Sequence, residues 1–340
     1  MGSWQRRIAA LTVAVTSSGC GPEIPFTWQV IDVLDLGMQV EVEALGPLGD
    51  PGDPMGRSFH DAMPLDQVRA SVMVADVTGP VPSESLSFAW FACPGTSCLE
   101  TAPSAPCPEE GIRLDGECSL GIRDVARFQF ADIESAEDLV GLSTGATITL
   151  RAIGGVEADG GAQACLDRLD RDADLGTCMI VESYYPMGSV MELADLAESR
   201  GGVIDETLLP DTARQFPRNR VPAIEDVVVV RSSGARESVA AGGTFSATVG
   251  EQLDIVWEPT ELDREEVTIV GSEGTVLEFV DPLVTSWWTT QRASEFDFLP
   301  GTPRVRWVVG PDEGTFVLYV VVTDGSNANG WTSFDVEVSR

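Results

Sequence analysis

Apolar residues alternate with polar ones over much of this 340-residue chain. Within residues 26–43, Val33, Leu34, Leu36, Met38, Val40 and Val42 are apolar, the last three interleaved with Gln39, Glu41 and Glu43. Successive side chains of a strand point to opposite faces, so this pattern predicts a half-buried strand. Residues 67–76 repeat it with Val68, Ala70, Val72 and Val74 on one face. Residues 86–93 put Leu86, Phe88 and Trp90 on one face and Ser87, Ala89 and Phe91 on the other. Shorter strands are predicted over 127–130 and 146–151. In the second half, Leu253, Ile255 and Trp257 share a face, as do Val305, Trp307 and Val309. Val267, Ile269, Val276, Leu277, Phe279 and Val280 continue the signal. Residues 315–322 are apolar on both faces, 324–330 form a polar turn, and Phe334, Val336 and Val338 then alternate with Ser333, Asp335 and Glu337.

The pattern changes between these halves. Residues 162–171 have helical spacing. Ser189 and Glu192 make a capping box, Val190, Leu193 and Leu196 share a helical face, and Gly201-Gly202 closes it. Pro210, Pro217 and Pro222 predict an extended, exposed linker over 205–222. The fold class predicted is mainly β: antiparallel sandwiches over 26–157 and 222–340, joined by a partly helical connector over 158–221. Phe88-Ala-Trp90-Phe-Ala-Cys93 resembles the tryptophan-bearing core strand of immunoglobulin-like domains, although Cys93 is not placed for their usual bridge between sheets. The closing hairpin resembles the last two strands of PKD-like and other bacterial immunoglobulin-like domains, over about residues 222–340. The resemblance implies a fold and leaves function open.

The amino terminus adds a destination. Arg6 and Arg7 precede a short apolar run over 8–15, then Ser17-Ser18-Gly19-Cys20. This reads as a secretory signal over 1–19, too short to span a bilayer. Gly19-Cys20-Gly21-Pro22 resembles the lipobox of bacterial lipoproteins, with Ser17 where an aliphatic residue is usual. The resemblance implies a lipid on Cys20, a tether over 20–25, and residence at the outer membrane or cell surface.

Charge and cysteine content narrow the function. With 54 acidic against 21 basic residues, the net charge is −33, which repels phosphate backbones and argues against nucleic-acid binding. Every basic side chain is arginine, so lysine chemistry is excluded. Apart from Cys20, six cysteines remain: Cys93, Cys98, Cys107, Cys118, Cys165 and Cys178. An even set in an exported chain predicts disulfides: Cys165–Cys178, and two bridges within the first four. The rival, a zinc site, lacks the paired short spacings and histidines that such sites use.

Three candidate sites remain. Asp170, Asp172 and Asp174 alternate as in calcium loops, but Leu175 replaces the turn glycine and Val181 the terminal glutamate; a solvated acidic loop is the competing reading. Calcium is thus the one cofactor the sequence suggests. Trp287-Trp288 predicts one exposed indole for a glycan or partner, against a packed edge. Gly141-Leu-Ser143-Thr-Gly145 matches a nucleophile elbow, but a strand follows the serine and the single histidine, His60, lies upstream in a polar loop where an exposed, idle imidazole is expected. The function expected is non-catalytic display, adhesion or scaffolding on an envelope protein or polysaccharide. Its alternative is calcium-assisted polysaccharide binding.

Overall fold

The computed structural model describes residues 30, 33–47, 58–95, 98, 103, 105–113, 116–135, 147–171, 173–186, 190–203, 219–260, 263, 266–270, 276–280, 282–298, 303–325 and 327–340. The chain is mainly β. Its first part comprises β1 (Leu34–Ala44), β2 (Gln67–Asp76), β3 (Gly79–Pro80), β4 (Leu86–Pro94), β5 (Cys118–Arg123), β6 (Val125–Gln129), β7 (Thr147–Val156), α1 (Gly161–Asp170), β8 (Met179–Pro186) and α2 (Val190–Ser199). One sheet has the order β1-β2-β3, with β6 also paired to β2; the other has the order β5-β4-β7-β8, and every pairing is antiparallel.

The alternation in sequence becomes alternation in burial. Met38, Val40 and Val42 of β1 and Val68, Ala70 and Val72 of β2 share one core with Phe88 and Trp90 of β4 and with Ile148, Leu150 and Ala152 of β7. The opposite face of β4 is also covered: Ala89, Phe91 and Cys93 pack with Cys98, Ile153, Ala162 and Cys165, beneath α1. Coverage on both faces explains why β4 is nearly continuous in apolar residues rather than alternating.

The described residues of 158–203, read in sequence as part of a connector, pack with this first body. α1 is its outer layer and β8 its fourth strand, while α2 inserts Leu193, Ala194 and Ala197 into the core. Both helices have one apolar stripe, and the nearest uncovered apolar sheet surface takes it up. Ser189 and residues 204–218 lie outside the described residues. The end of the expected exposed linker is instead buried, at Asn219 and Val221.

The second part comprises β9 (Asp226–Arg231), β10 (Arg236–Ala240), β11 (Thr244–Thr248), β12 (Gln252–Val256), β13 (Glu266–Val270), β14 (Val276–Val280), β15 (Val284–Thr289), β16 (Glu295–Phe298), β17 (Arg304–Val308), β18 (Gly314–Thr323) and β19 (Asn329–Ser339). β10-β9-β12-β17-β16 form one sheet, β11-β19-β18-β15 another, and β13-β14 a separate hairpin. β11 runs parallel to β19, a departure from the wholly antiparallel expectation. Leu253, Ile255, Trp257, Val305 and Trp307 meet Leu318, Val320, Phe334 and Val336 in a second core.

β18 is apolar on both faces because both are covered. Its other face, Val317, Tyr319 and Val321, packs with Leu36, Met73 and Ala75 of β1 and β2, flanked by Trp288 and Trp331. The Tyr319 hydroxyl donates to the Asp76 carbonyl at 3.4 Å.

Asp35 lies in β1 at a register irregularity. Burial pushes its carboxyl above the ordinary value of 3.8, a rise its own backbone hydrogen bond only partly offsets. A raised folded-state value means that ionisation costs stability as pH climbs from the unfolded value through the folded one. Asp35→Asn is therefore expected to raise the melting temperature at neutral pH and to make no difference well below pH 3.8. Melting curves across pH check this; a loss of stability at neutral pH would refute it.

Candidate functional site

One concave site among the described residues is built where the first two sheets leave strand edges near each other. Among the described strands, β5 pairs with β4 and β6 with β2. Residues 105–113 run past both edges as a strap. The Ser119 N–H donates to the Ala105 carbonyl at 2.7 Å and the Cys107 N–H to the Ser119 carbonyl at 2.9 Å. Further along, the Ile112 N–H donates to the Gln129 carbonyl at 2.8 Å and the Ala131 N–H to the Ile112 carbonyl at 3.0 Å. Cys107–Cys118 ties the strap to the first residue of β5, with 4.7 Å between Cα atoms. Gly111 adopts φ +124°, and a Cβ there would meet the Ala131 nitrogen at 2.5 Å, so only glycine fits the crossing.

Beneath the strap lies an open groove of about 540 Å³. Gln67, Glu109, Arg123, Arg127, Phe128 and Gln129 are among its walls. Gln67 donates through Nε2 to Gln129 Oε1, and Gln129 Nε2 donates to the Glu110 carbonyl at 3.2 Å. Arg127 is ion-paired to Glu43 at 2.9 Å. No carboxylate among the described residues lies within ion-pair distance of Arg123. The groove was not legible as a site in the sequence; the signal available was the pair Cys107 and Cys118 around a Pro- and Gly-bearing segment.

A second polar cluster is structural. His60 is buried, where the sequence suggested an exposed imidazole. It sits at 3.0 Å from the Val40 carbonyl through Nδ1, and a carbonyl only accepts, so Nδ1 carries the proton. Tyr185 meets it edge-on at 5.0 Å. The local reason is pairing: the Val42 N–H donates to the Phe59 carbonyl and the His60 N–H to the Asn219 carbonyl, both at 2.8 Å, so this stretch lies between two neighbouring segments instead of looping out. Asp61 accepts from the Asn219 N–H at 3.2 Å, and Asn219 Nδ2 donates to Asp324 Oδ2 at 2.9 Å. Asp324 Oδ1 accepts from the Ala328 N–H at 2.8 Å, and Asn329 Nδ2 donates to the Met38 carbonyl at 2.7 Å. Asp324 and Asn329 thus fasten the last hairpin turn to the first body. Gly330 packs against the incoming segment, since a Cβ there would lie 1.9 Å from the Pro222 carbonyl oxygen.

The other sequence-derived candidates are dispersed. Cys20 and Ser143 lie outside the described residues. The six remaining cysteines form Cys93–Cys98, Cys107–Cys118 and Cys165–Cys178. Asp170 ends α1, Asp174 is exposed and accepts from the Gly176 N–H at 3.1 Å, and Asp172 lies outside the described residues. Among the described residues no three His, Cys, Asp or Glu side chains converge as a metal group. Trp287 is 1% exposed within the second core, so its ring offers no face to a ligand. Trp288 is partly buried at the junction between the two bodies. Neighbouring residues do point to opposite faces, as expected: Trp287 lies in the second core, and Trp288 is only partly covered.

No family model matches the chain, and no curated protein matches it. Among solved structures, a nucleoside hydrolase-related hypothetical protein from Saccharophagus degradans, described as associated with carbohydrate metabolism, is 12% identical at a TM-score of 0.20. That match covers 52% of this chain and 38% of the other. A chimeric titin Z1Z2 tandem is 9% identical at TM-score 0.20, covering 81% of this chain and 91% of its own. Dimeric latent PorU from Porphyromonas gingivalis is 12% identical at 0.18, covering 89% and 24%. At such scores these likenesses carry no argument about fold or function.

Proposed function

We propose that this is a non-catalytic envelope protein, exported and lipid-anchored through Cys20, whose two immunoglobulin-like sandwiches, the first of them held by disulfides, serve display, adhesion or scaffolding at the cell surface. The observation that carries the reading is cysteine parity. All six cysteines other than Cys20 pair with one another, which leaves the lipobox-like cysteine as the odd one. Disulfides of this density belong to oxidising compartments. Among the described residues no helix is long and apolar enough to cross a membrane. The chain's single histidine sits inside a core, which supports a binding role over histidine-based catalysis. In this reading the first module extends through α2 and the second begins near residue 222.

Expressed in a bacterial host fed labelled palmitate, the full chain is expected to carry label and to sediment with the outer membrane. Cys20→Ser should lose the label and fractionate as a soluble protein. Label on the Cys20→Ser variant, or on neither chain, would overturn the anchor.

A further inference from the structure

We propose that the groove beneath the 105–113 strap is a binding site for a carboxylate-bearing glycan, with Arg123 as its principal anion contact. The inference deepens the surface-binding reading above but is tested independently of the lipid.

Charge is the first argument. A chain of net charge −33 repels anions wherever its surface is average, so an anionic ligand needs a local cation. The residues lining the groove include two arginines, Arg123 and Arg127, against one acidic residue, Glu109. Both arginines are exposed, but Arg127 is shared with Glu43. Arg123 has no carboxylate partner among the described residues, so its planar fork is available for two parallel hydrogen bonds to a ligand carboxylate.

Shape is the second. A volume of about 540 Å³ falls among the small-ligand sites, which span roughly 300–1,000 Å³. The lining favours a sugar over a peptide. A peptide would dock by adding a strand to an open sheet edge. Here the strap already takes backbone positions of both edges, at Ser119 on β5 and at Gln129 on β6. Gln67 keeps amide hydrogen-bonding capacity after its bond to Gln129, and primary amides suit hydroxyl groups. The Cys107–Cys118 bridge holds the wall in place before any ligand arrives, which lowers the ordering cost of binding.

The test is calorimetric titration of the full mature chain, carrying Cys20→Ser for solubility, with oligomers of galacturonate, glucuronate and mannuronate. Matched neutral hexose oligomers and an oligoglutamate peptide serve as the comparison probes. Uronate binding is expected, weakened by added salt, and reduced roughly tenfold by Arg123→Gln, the loss of about one charge-assisted contact. Glu109→Gln should tighten binding, a gain that misfolding cannot mimic. Uronate affinity unaltered in both variants would overturn the site. So would equal affinity for the neutral oligomers. Tighter binding of oligoglutamate would overturn the glycan assignment, and no binding of any uronate would overturn the proposal.

Discussion

Reducing agent is expected to lower the melting transition of the first body far more than that of the second. The three bridges span sequence separations of 5, 11 and 13 residues. Loop-closure entropy assigns each about 2–3 kcal/mol, together roughly 7–8 kcal/mol, comparable with the whole stability of a typical domain. All three lie in the first body. Cys118 borders its central core, while Cys93, Cys98 and Cys165 pack on the outer face of β4 and β7. None belongs to the core around Trp307. Scanning calorimetry with and without dithiothreitol should therefore show an early transition appear on reduction while a later one persists. Cys107→Ser with Cys118→Ser should cost about 3 kcal/mol in the oxidised protein. A melt insensitive to reductant would show that the cysteines contribute no cross-link to stability.

The elements that alternation makes visible were the ones legible in the sequence. β12 and much of β19 have one covered face and one more exposed face, and β1 and β2 keep the same period of two until Leu36, Met73 and Ala75 turn toward β18. β18 was visible as a strand, but its second apolar face only makes sense once β1 and β2 are seen to cover it. The same long-range contact hides the fate of Trp288. β8 and the helices were harder to place. Each has too little apolar surface to announce a partner, and the sheet they complete is assembled from strands distant in sequence. His60 was misjudged because its neighbours in sequence are polar. Asp61 and Asp324 each accept a hydrogen bond from Asn219 in the interior, a pairing that residue type alone does not reveal. The groove is a property of two sheet edges and a strap, so no local motif encodes it.

Trp307→Ala is expected to lower the stability of the second body by about 3–5 kcal/mol, the usual range for deleting a buried aromatic side chain. Trp307 is 0% exposed in the middle of β17, with Phe296 edge-on at 5.9 Å and Phe245 at 6.5 Å. Two paired sheets hold the walls of the resulting cavity apart, so little of it can collapse. The indole N–H makes no hydrogen bond among the described residues. Both alanine and phenylalanine remove that buried donor, so the two differ only in packing, and Trp307→Phe should cost much less because it keeps a ring in the cavity. The two bodies meet through the other face of β18, at Tyr319, and through Asn219 and Asp324. A cavity around Trp307 weakens β18 on one face while leaving that junction's side chains in place. In calorimetry of the oxidised protein, Trp307→Ala should thus move the second transition down and leave the first nearly unmoved, the mirror image of reduction. If both transitions fall together by the same amount, the junction couples the two cores into one cooperative unit, and the separate response to reduction should vanish with it.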